Sequence, residues 1–280
     1  MSSAIFILTA LAGLSCVFTL GYLLARRWDN YGVVDVIWSY AFAALALYYS
    51  ALAEGWWVRR LVLVLMVGAW SMRLGTHLLL RVSRDHPRED GRYQAMRDAW
   101  KGGFGGRMFG FFQLQAVSVV LLGLPFFWIA RNPVEEFHLM EWLGMALWTA
   151  AIAGEAVADA QLAAFRRERK DRRAVCDIGL WRYSRHPNYF FEWLVWVGFF
   201  LFACGSPWGW TGVLSPLVIL YLILRVTGIP PTEAQALRSK GEAYAKYQAR
   251  TNAFFPGPPR ASVESISKSP FSADATRKQS

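Results

Sequence analysis

Charged residues are scarce in this sequence, since Asp, Glu, Lys and Arg together make up 18% of its 280 residues. A soluble domain usually carries about 25% charged residues. Hydrophobic residues reach 55% here and aromatic residues 16%. A water-soluble fold could not bury this much apolar surface, so the composition excludes an ordinary soluble enzyme and a disordered chain. The 14 Trp residues fit a membrane protein, because indole rings concentrate at the level of lipid headgroups.

Cysteine and histidine are also few, and their spacing does not suit disulfides or metal ligands. The three cysteines are far apart, with Cys16 and Cys204 in apolar runs and Cys176 in a basic loop. The four histidines include no His-x-x-x-His pair. We therefore predict no disulfide framework and no metal site.

Acidic residues are outnumbered by basic ones, 20 against 30, which gives a net charge of +10. A basic balance can indicate nucleic acid, anionic lipid or an anionic cofactor as the partner. Long apolar runs separate the basic clusters, so we predict membrane lipids as partners and no nucleic acid. The sequence also offers no sign of an obligate protein partner.

Long apolar segments are what the chain has in abundance. A bilayer core requires about 20 apolar helical residues, and seven segments reach or approach that length. They are residues 4–25, 33–53, 61–80, 108–130, 141–159, 187–204 and 207–224. The sequence therefore predicts an all-α, polytopic integral membrane protein with about seven transmembrane helices.

The distribution of Lys and Arg predicts the orientation of these helices. The connections on the N-terminal side hold 3 of them, and those on the opposite side hold 26. Because cytoplasmic loops are enriched in Lys and Arg, the N-terminus is expected outside and the C-terminus in the cytoplasm. The membrane would be the inner membrane of a bacterium, or the endoplasmic reticulum in a eukaryote.

The chain is expected to form one membrane domain over residues 1–260. Residues 261–280 are rich in Ser, Ala and Lys without periodicity, which predicts a disordered tail. Residues 233–249 suit short helices at the membrane surface.

Several ionisable residues fall inside the predicted spans, where each costs about 2.5–3.5 kcal/mol. They are Asp35 in the second span, Arg73 and His77 in the third, Glu155 and Asp159 in the fifth and Glu192 in the sixth, and Arg225 stands directly at the end of the seventh. Those near helix ends could simply extend to the interface, and Arg73 with His77 could pair with Asp35 to hold helices together. The alternative is a functional site within the membrane.

The densest signal is the run from Gly179 to Tyr189, in which Pro187 suits the first position of a helix. Arg182, Arg185 and His186 stand beside the free N–H groups of that helix start. Guanidinium groups at a helix N-terminus suit a phosphate. The alternative is a basic loop that only determines topology.

The run Arg185-His186-Pro187-Asn188-Tyr189, with Asp159 before it and Glu192 and Trp196 after it, resembles the C-terminal half of the steroid 5-alpha-reductase family. The upstream runs at residues 35–38, 69–74 and 92–97 resemble a mostly bacterial branch of that family. The resemblance covers about residues 35–256 and implies the same seven-helix architecture.

The resemblance implies NADPH as cofactor, with a nucleotide half at about residues 141–256. It assigns Asp159 to the nucleotide, Arg166 to a phosphate, and Asn188, Tyr189 and Glu192 to the nicotinamide side. Arg225 matches an arginine of the last helix, and Glu155 stands where the family has Asn. The phosphate contacts would be completed by Arg182, Arg185 and His186.

The chemistry that the resemblance implies is reduction of a carbon–carbon double bond conjugated to a carbonyl, as in 3-oxo-5-alpha-steroid 4-dehydrogenases. Steroid reductases use a Gln-Glu pair and a Tyr to polarise the ketone, where this chain has Val34-Asp35 and Trp70. A lipophilic substrate from the bilayer is therefore expected, and a sterol, an isoprenoid enone or a fatty acyl chain all remain open. The catalytic candidates are Asp35 as a protonated donor, or His77 or Arg73 with Asp35 as an orienting anion.

Two other classes of protein remain as alternatives. Integral-membrane isoprenylcysteine-type methyltransferases share the Arg-His-Pro-x-Tyr signature but bind S-adenosylmethionine, which has no pyrophosphate to match the arginines here. A non-enzymatic lipid-binding protein could keep the same fold, although the polar stripe within the membrane argues against it.

Overall fold

Every regular element within residues 2–260, the part of the chain that the computed structural model describes, is a helix. The predicted disordered tail, residues 261–280, lies outside the described residues. The α-helices are α1 (Ser3–Trp28), α2 (Val33–Leu52), α3 (Trp57–Asp85), α4 (Gly91–Ala99), α5 (Phe104–Leu122), α6 (Leu124–Arg131), α7 (Leu139–Glu168), α8 (Pro187–Ala203), α9 (Leu214–Tyr221), α10 (Ile229–Lys240) and α11 (Glu242–Arg250). Two 3-10 helices, Gly179–Arg182 and Gly209–Val213, and a π-helix, Leu222–Val226, complete the described elements.

Five helical stretches of the described chain are long and apolar enough to cross a membrane. Four are α1, α2, α3 and α5, and the fifth is the continuous stretch Gly209–Lys240. Five such stretches indicate a multi-pass membrane protein, as predicted. The predicted spans 141–159 and 187–204 correspond to α7 and α8, which are not among the five. Helix α7 carries two carboxylates in its apolar part, and α8 has only 17 residues.

The predicted span 108–130 is two helices in the structure, which corrects the single helix expected from its hydropathy. Helix α5 ends at Leu122 and α6 begins at Leu124, with Pro125 in its first turn. A Cβ atom on Gly123 would lie 2.4 Å from a methyl group of Leu45 in α2. The Leu45 side chain of α2 therefore packs directly against the backbone at the break, and a side chain at position 123 would force it to move.

The chain forms two compact units. Within the described residues, unit 1 contains residues 2–146 and Val197–Pro216, and unit 2 contains Leu147–Trp196 and residues 217–260. The core of unit 1 is aromatic. Trp70 is fully buried, and its ring centroid lies 5.4 Å from that of Phe42 and 6.4 Å from that of Phe199. By the resemblance described above, Trp70 stands where steroid reductases have a tyrosine. Its edge-to-face contacts favour a large indole at this position of the core.

A buried ion pair holds the start of α3 to the first turn of α7. The Nε atom of Arg59 donates to Glu141 at 2.5 Å, and both side chains are at most 1% exposed. The other guanidinium nitrogens donate to the backbone carbonyl oxygens of Asn132, Val134 and Glu136, at 2.6–2.9 Å. The pair was not predicted, because the two partners are 82 residues apart.

We expect Glu141→Gln to lower the free energy of unfolding by about 3–5 kcal/mol, because the substitution leaves the buried guanidinium without its counter-charge. Thermal unfolding of purified protein in detergent measures the loss. Glu135→Gln makes the same change of charge at an exposed position nearby and serves as the control. Equal unfolding temperatures for the two variants would contradict the structural role of the pair.

Candidate functional site

Helix α2 begins in a polar turn that places Asp35 in its first helical turn. Asp29 ends α1 in the left-handed conformation, with φ of 50°. The backbone N–H of Gly32 then donates to Asn30 Oδ1 at 3.0 Å, and that of Tyr31 donates to Glu89 at 2.7 Å. A carboxylate at this position is favoured by the positive end of the helix dipole.

Asp35 is the centre of a charged cluster in unit 1, formed by Asp35, Arg81, Arg92 and Tyr93 and called here the Asp35 cluster. Arg92 donates to one carboxylate oxygen at 2.7 Å, and the Tyr93 hydroxyl donates to the other at 2.8 Å. Arg81 lies 3.8 Å from the carboxylate. In all these contacts Asp35 is the acceptor, an arrangement that suits the orienting anion among the two roles that the sequence left open.

Tyr93 is the proton-bearing group of the Asp35 cluster. Its side chain is buried, at 2% exposure. Burial and the negative charge of Asp35 raise the pKa of Tyr93 well above its ordinary value, so the phenol keeps its proton throughout the physiological range. The adjacent Asp90 carboxylate caps α4 through the N–H of Arg92, which keeps the tyrosine in position.

The other two catalytic candidates, Arg73 and His77, lie on the same face of α3 as Arg81, at successive turns. Arg73 is half-buried and His77 is exposed. Arg81, one turn beyond His77, lies 3.8 Å from the Asp35 carboxylate.

In unit 2, helices α7 and α8 approach closely and bring two predicted site residues together. A Cβ atom on Gly154 would lie 2.4 Å from the Phe191 ring, so only glycine permits this contact. One turn further along α7, Asp159 accepts a hydrogen bond from Asn188 at 3.4 Å. Glu155, between them on the α7 face, is buried at 6% exposure.

The loop before α8 is tied to α7 and to the C-terminal segment. The Trp181 indole donates to the carbonyl of Ala158 at 2.9 Å, and the Tyr247 hydroxyl donates to the carbonyl of Trp181. Helix α8 begins at Pro187, as predicted. The backbone N–H of His186, the residue before Pro187, donates to Ser184 Oγ at 3.1 Å.

Arg185 and His186 converge on one carboxylate, that of Glu233 in α10. Arg185 donates to it at 2.6 Å, and the His186 ring nitrogen lies 3.2 Å away. Gln248 donates to the second oxygen at 2.9 Å. Burial and the charge of this carboxylate raise the pKa of Tyr244 to about 12. These five residues are called the Glu233 cluster.

The Glu233 cluster gives Arg185 and His186 structural partners that the sequence did not reveal. Arg185 also donates to the carbonyl oxygens of Gln248 and Thr251, and its side chain is only 10% exposed. Contact with a phosphate would have to displace these bonds. In this structure the two residues hold the C-terminal segment to the start of α8.

The remaining predicted residues of α8 and the last span have distinct surroundings. The Tyr189 hydroxyl lies 3.1 Å from that of Thr232 in α10, and its ring stacks on the His186 ring. Glu192 accepts a hydrogen bond from the Trp196 indole at 3.1 Å. Arg225 is exposed within the π-helix, a form that often marks functional positions.

Several cations gather where α7 ends. Arg166 of α7 and Lys240 of α10 both lie near the Cys176 thiol. Burial raises the pKa of that thiol and Asp177 adds to the effect, whereas Lys240 and Arg166 oppose it. Arg169, three residues after Arg166, acts electrostatically on Lys240. Like charges from two helices therefore act on the same group, which favours an anion in this part of unit 2.

Sequence reasoning missed Glu233, Thr232 and the role of Tyr93. Tyr93 was noticed only as part of a resembling run, and nothing in its spacing indicated a partner 58 residues earlier. A carboxylate in a short polar helix is ordinarily exposed, so nothing in the sequence marked Glu233 as the partner of Arg185 and His186. No group of three or more His, Cys, Asp or Glu side chains that could hold a metal ion is present within residues 2–260.

Comparison with known proteins identifies the family and leaves its activity open. Neither a curated protein nor a solved structure matches the sequence. A family model described as "Protein of unknown function (DUF1295)" matches residues 21–251, which is most of the chain. The chain therefore belongs to the DUF1295 family.

Proposed function

We propose that this protein is an integral-membrane, NADPH-dependent reductase. Its reaction would be reduction of a carbon–carbon double bond conjugated to a carbonyl, in a lipophilic substrate from the bilayer. The observation that carries the proposal is a row of polar groups in unit 2. It begins with Asp159 of α7, which accepts a hydrogen bond from Asn188 of α8, and it continues to the cations at the end of α7.

The geometry of α7 supports one continuous nucleotide site. Arg166 follows Asp159 by seven residues, which places both on one face of the helix, two turns apart. The Asp159 carboxylate can accept hydrogen bonds from hydroxyl groups, as a ribose would offer. Arg166, Arg169 and Lys240 can neutralise phosphate groups at the other end of the row.

The charges favour NADPH over S-adenosylmethionine. NADPH carries a pyrophosphate and a 2′-phosphate, which suit a cluster of three cations. S-adenosylmethionine carries a positive sulfonium, which such a cluster would repel. NADPH, when bound, supplies a hydride, which agrees with the reductase family that the sequence resembles.

The proposed roles follow the surroundings of each residue. Asn188 and Tyr189 would contact the nicotinamide side, together with Glu192. Arg166 would bind phosphate directly, whereas Arg185 and His186 would position the start of α8 through Glu233. Arg182 and Arg225 are exposed, and neither belongs to the Glu233 cluster.

In unit 1 the Asp35 cluster supplies a proton donor of the kind that reduction of an enone requires. Negative charge develops on the carbonyl oxygen, and a hydrogen bond to it lowers the barrier. The Tyr93 phenol can donate that bond. Asp35 and Arg92 would hold the phenol in place until a substrate oxygen accepts its hydrogen.

We further propose seven spans, with α7 and α8 added to the five apolar stretches, and a cytoplasmic C-terminus. Five Trp side chains are more than half exposed. Trp57, Trp142, Trp208 and Trp210 lie in or beside connections on the proposed outer side, and Trp28 lies beside one on the inner side. Exposed indoles favour the headgroup region, and the basic loops favour the opposite face. The bilayer would be the bacterial inner membrane, or the endoplasmic reticulum in a eukaryote.

Reporter fusions test this topology. An alkaline phosphatase fusion after Arg131 should be active, because that connection lies outside, and one after Arg260 should be inactive. A fluorescent-protein fusion at the same two positions should give the reverse pattern. An active phosphatase at the C-terminal position would contradict the proposed orientation.

Titration of the purified full-length protein with NADPH, NADH and S-adenosylmethionine tests the cofactor. We expect NADPH to bind, and Arg166→Gln to weaken its binding about tenfold to a hundredfold through loss of charge-assisted hydrogen bonds. Arg167→Gln removes the same charge from the neighbouring, exposed position and should have little effect. Saturable binding of S-adenosylmethionine without binding of NADPH would instead support a methyltransferase.

Tyr93→Phe should reduce turnover of NADPH with lipophilic enones about a hundredfold, because it removes the hydrogen-bond donor. NADPH binding should not change. Tyr40→Phe is the matched control, since its hydroxyl hydrogen-bonds to Thr76 on α3 outside the Asp35 cluster. Full turnover by the Tyr93 variant would remove Tyr93 from the proposed chemistry.

A further inference from the structure

We propose that an anionic phospholipid headgroup binds in a cleft beside the C-terminal segment of unit 2. The cleft has a volume of about 560 Å³ and is lined by Arg182, Arg250 and Arg260, with Ile178 and Asp177 among the other lining residues. This proposal does not depend on the reductase activity.

The cleft keeps a net positive charge even though one of its arginines is paired with an aspartate. Arg250 forms an ion pair with Asp177, which is the acidic residue of the lining. Arg182 and Arg260 are exposed and leave two positive charges facing the opening. Guanidinium groups bind phosphate oxygens in pairs, so a phosphodiester is the ligand that this arrangement suits.

The walls of the cleft are held in place before any ligand binds. The extended segment after α11 pairs with the loop before α8, through the N–H of Arg185 to the carbonyl of Asn252 at 2.8 Å and that of Gly257 to the carbonyl of Tyr183 at 3.0 Å. The N–H of Arg260 donates to the carbonyl of Arg250 at 2.8 Å. Two of the arginines are therefore joined by their backbones.

Exposed apolar side chains occur in the lining of the cleft and in the segment between Arg250 and Arg260, which points to a lipid rather than a free anion. Phe255 packs on Trp193 in α8, with ring centroids 5.9 Å apart, and yet remains 56% exposed. Ile178, in the lining itself, is 55% exposed. Exposed aromatic and aliphatic side chains beside arginines are typical of the level where acyl chains meet headgroups.

The position of the segment on α8 agrees with that level. Phe254 contacts Phe190, in the first turn of α8, with ring centroids 5.7 Å apart. The segment is thus attached where α8, one of the two spans added in the proposed topology, begins. Basic residues at such a boundary gain affinity from anionic lipids, by about fivefold for each Lys or Arg.

The test compares full-length protein in nanodiscs of phosphatidylcholine with and without phosphatidylglycerol. We expect phosphatidylglycerol to raise the unfolding temperature and to remain bound in native mass spectrometry. The double variant Arg182→Gln/Arg260→Gln should lose most of that shift and bind the lipid at least tenfold more weakly. The matched control Arg238→Gln/Lys246→Gln removes the same charge from exposed positions of α10 and α11 and should keep the shift.

Three outcomes would overturn the proposal. The first is an equal response of the cleft variant and the control to phosphatidylglycerol. The second is an equal rise in unfolding temperature with inorganic phosphate in phosphatidylcholine nanodiscs, which would indicate a site for free anions. The third is loss of NADPH binding with retained lipid binding in the cleft variant, which would assign the cleft to the nucleotide.

Discussion

The described structure depends most on one constraint, which is the free-energy cost of holding an ionised side chain away from water. Three carboxylates that are buried or half-buried are each matched by an arginine from another part of the chain. The pairs are Arg59 with Glu141, Arg92 with Asp35, and Arg185 with Glu233. Each pair also receives further hydrogen bonds, which makes the burial of both charges tolerable. The pairs thereby join helices that hydrophobic packing alone would leave free to slide.

This constraint divides the arginines into two groups with different functions. Arg59 and Arg185 use their donors within the fold, so they determine the positions of helices and loops. Arg166 and Arg182 are exposed and are available for anions from outside the chain. A basic composition is therefore not in itself a measure of anion-binding capacity, because part of the positive charge is already compensated.

The partners within the fold also determine which group of the Asp35 cluster accepts hydrogen bonds and which one holds a proton. The sequence drew attention to Asp35 and His77, because ionisable residues in apolar helices are rare. The structure surrounds Asp35 with donors and makes it an acceptor, and the buried phenol of Tyr93 holds the proton. A tyrosine in a short polar helix attracts no notice in a sequence, since its burial depends on residues far along the chain.

The sequence by itself determined the helical class, the apolar stretches and the start of α8 at Pro187. These properties are local: hydropathy and the missing N–H of proline act over a few residues. Only the tertiary structure decided the partners of Asp35 and the engagement of Arg185 with Glu233. Each of these depends on a close approach between segments 48 to 58 residues apart, and periodicity along the chain contains no information about which segments meet.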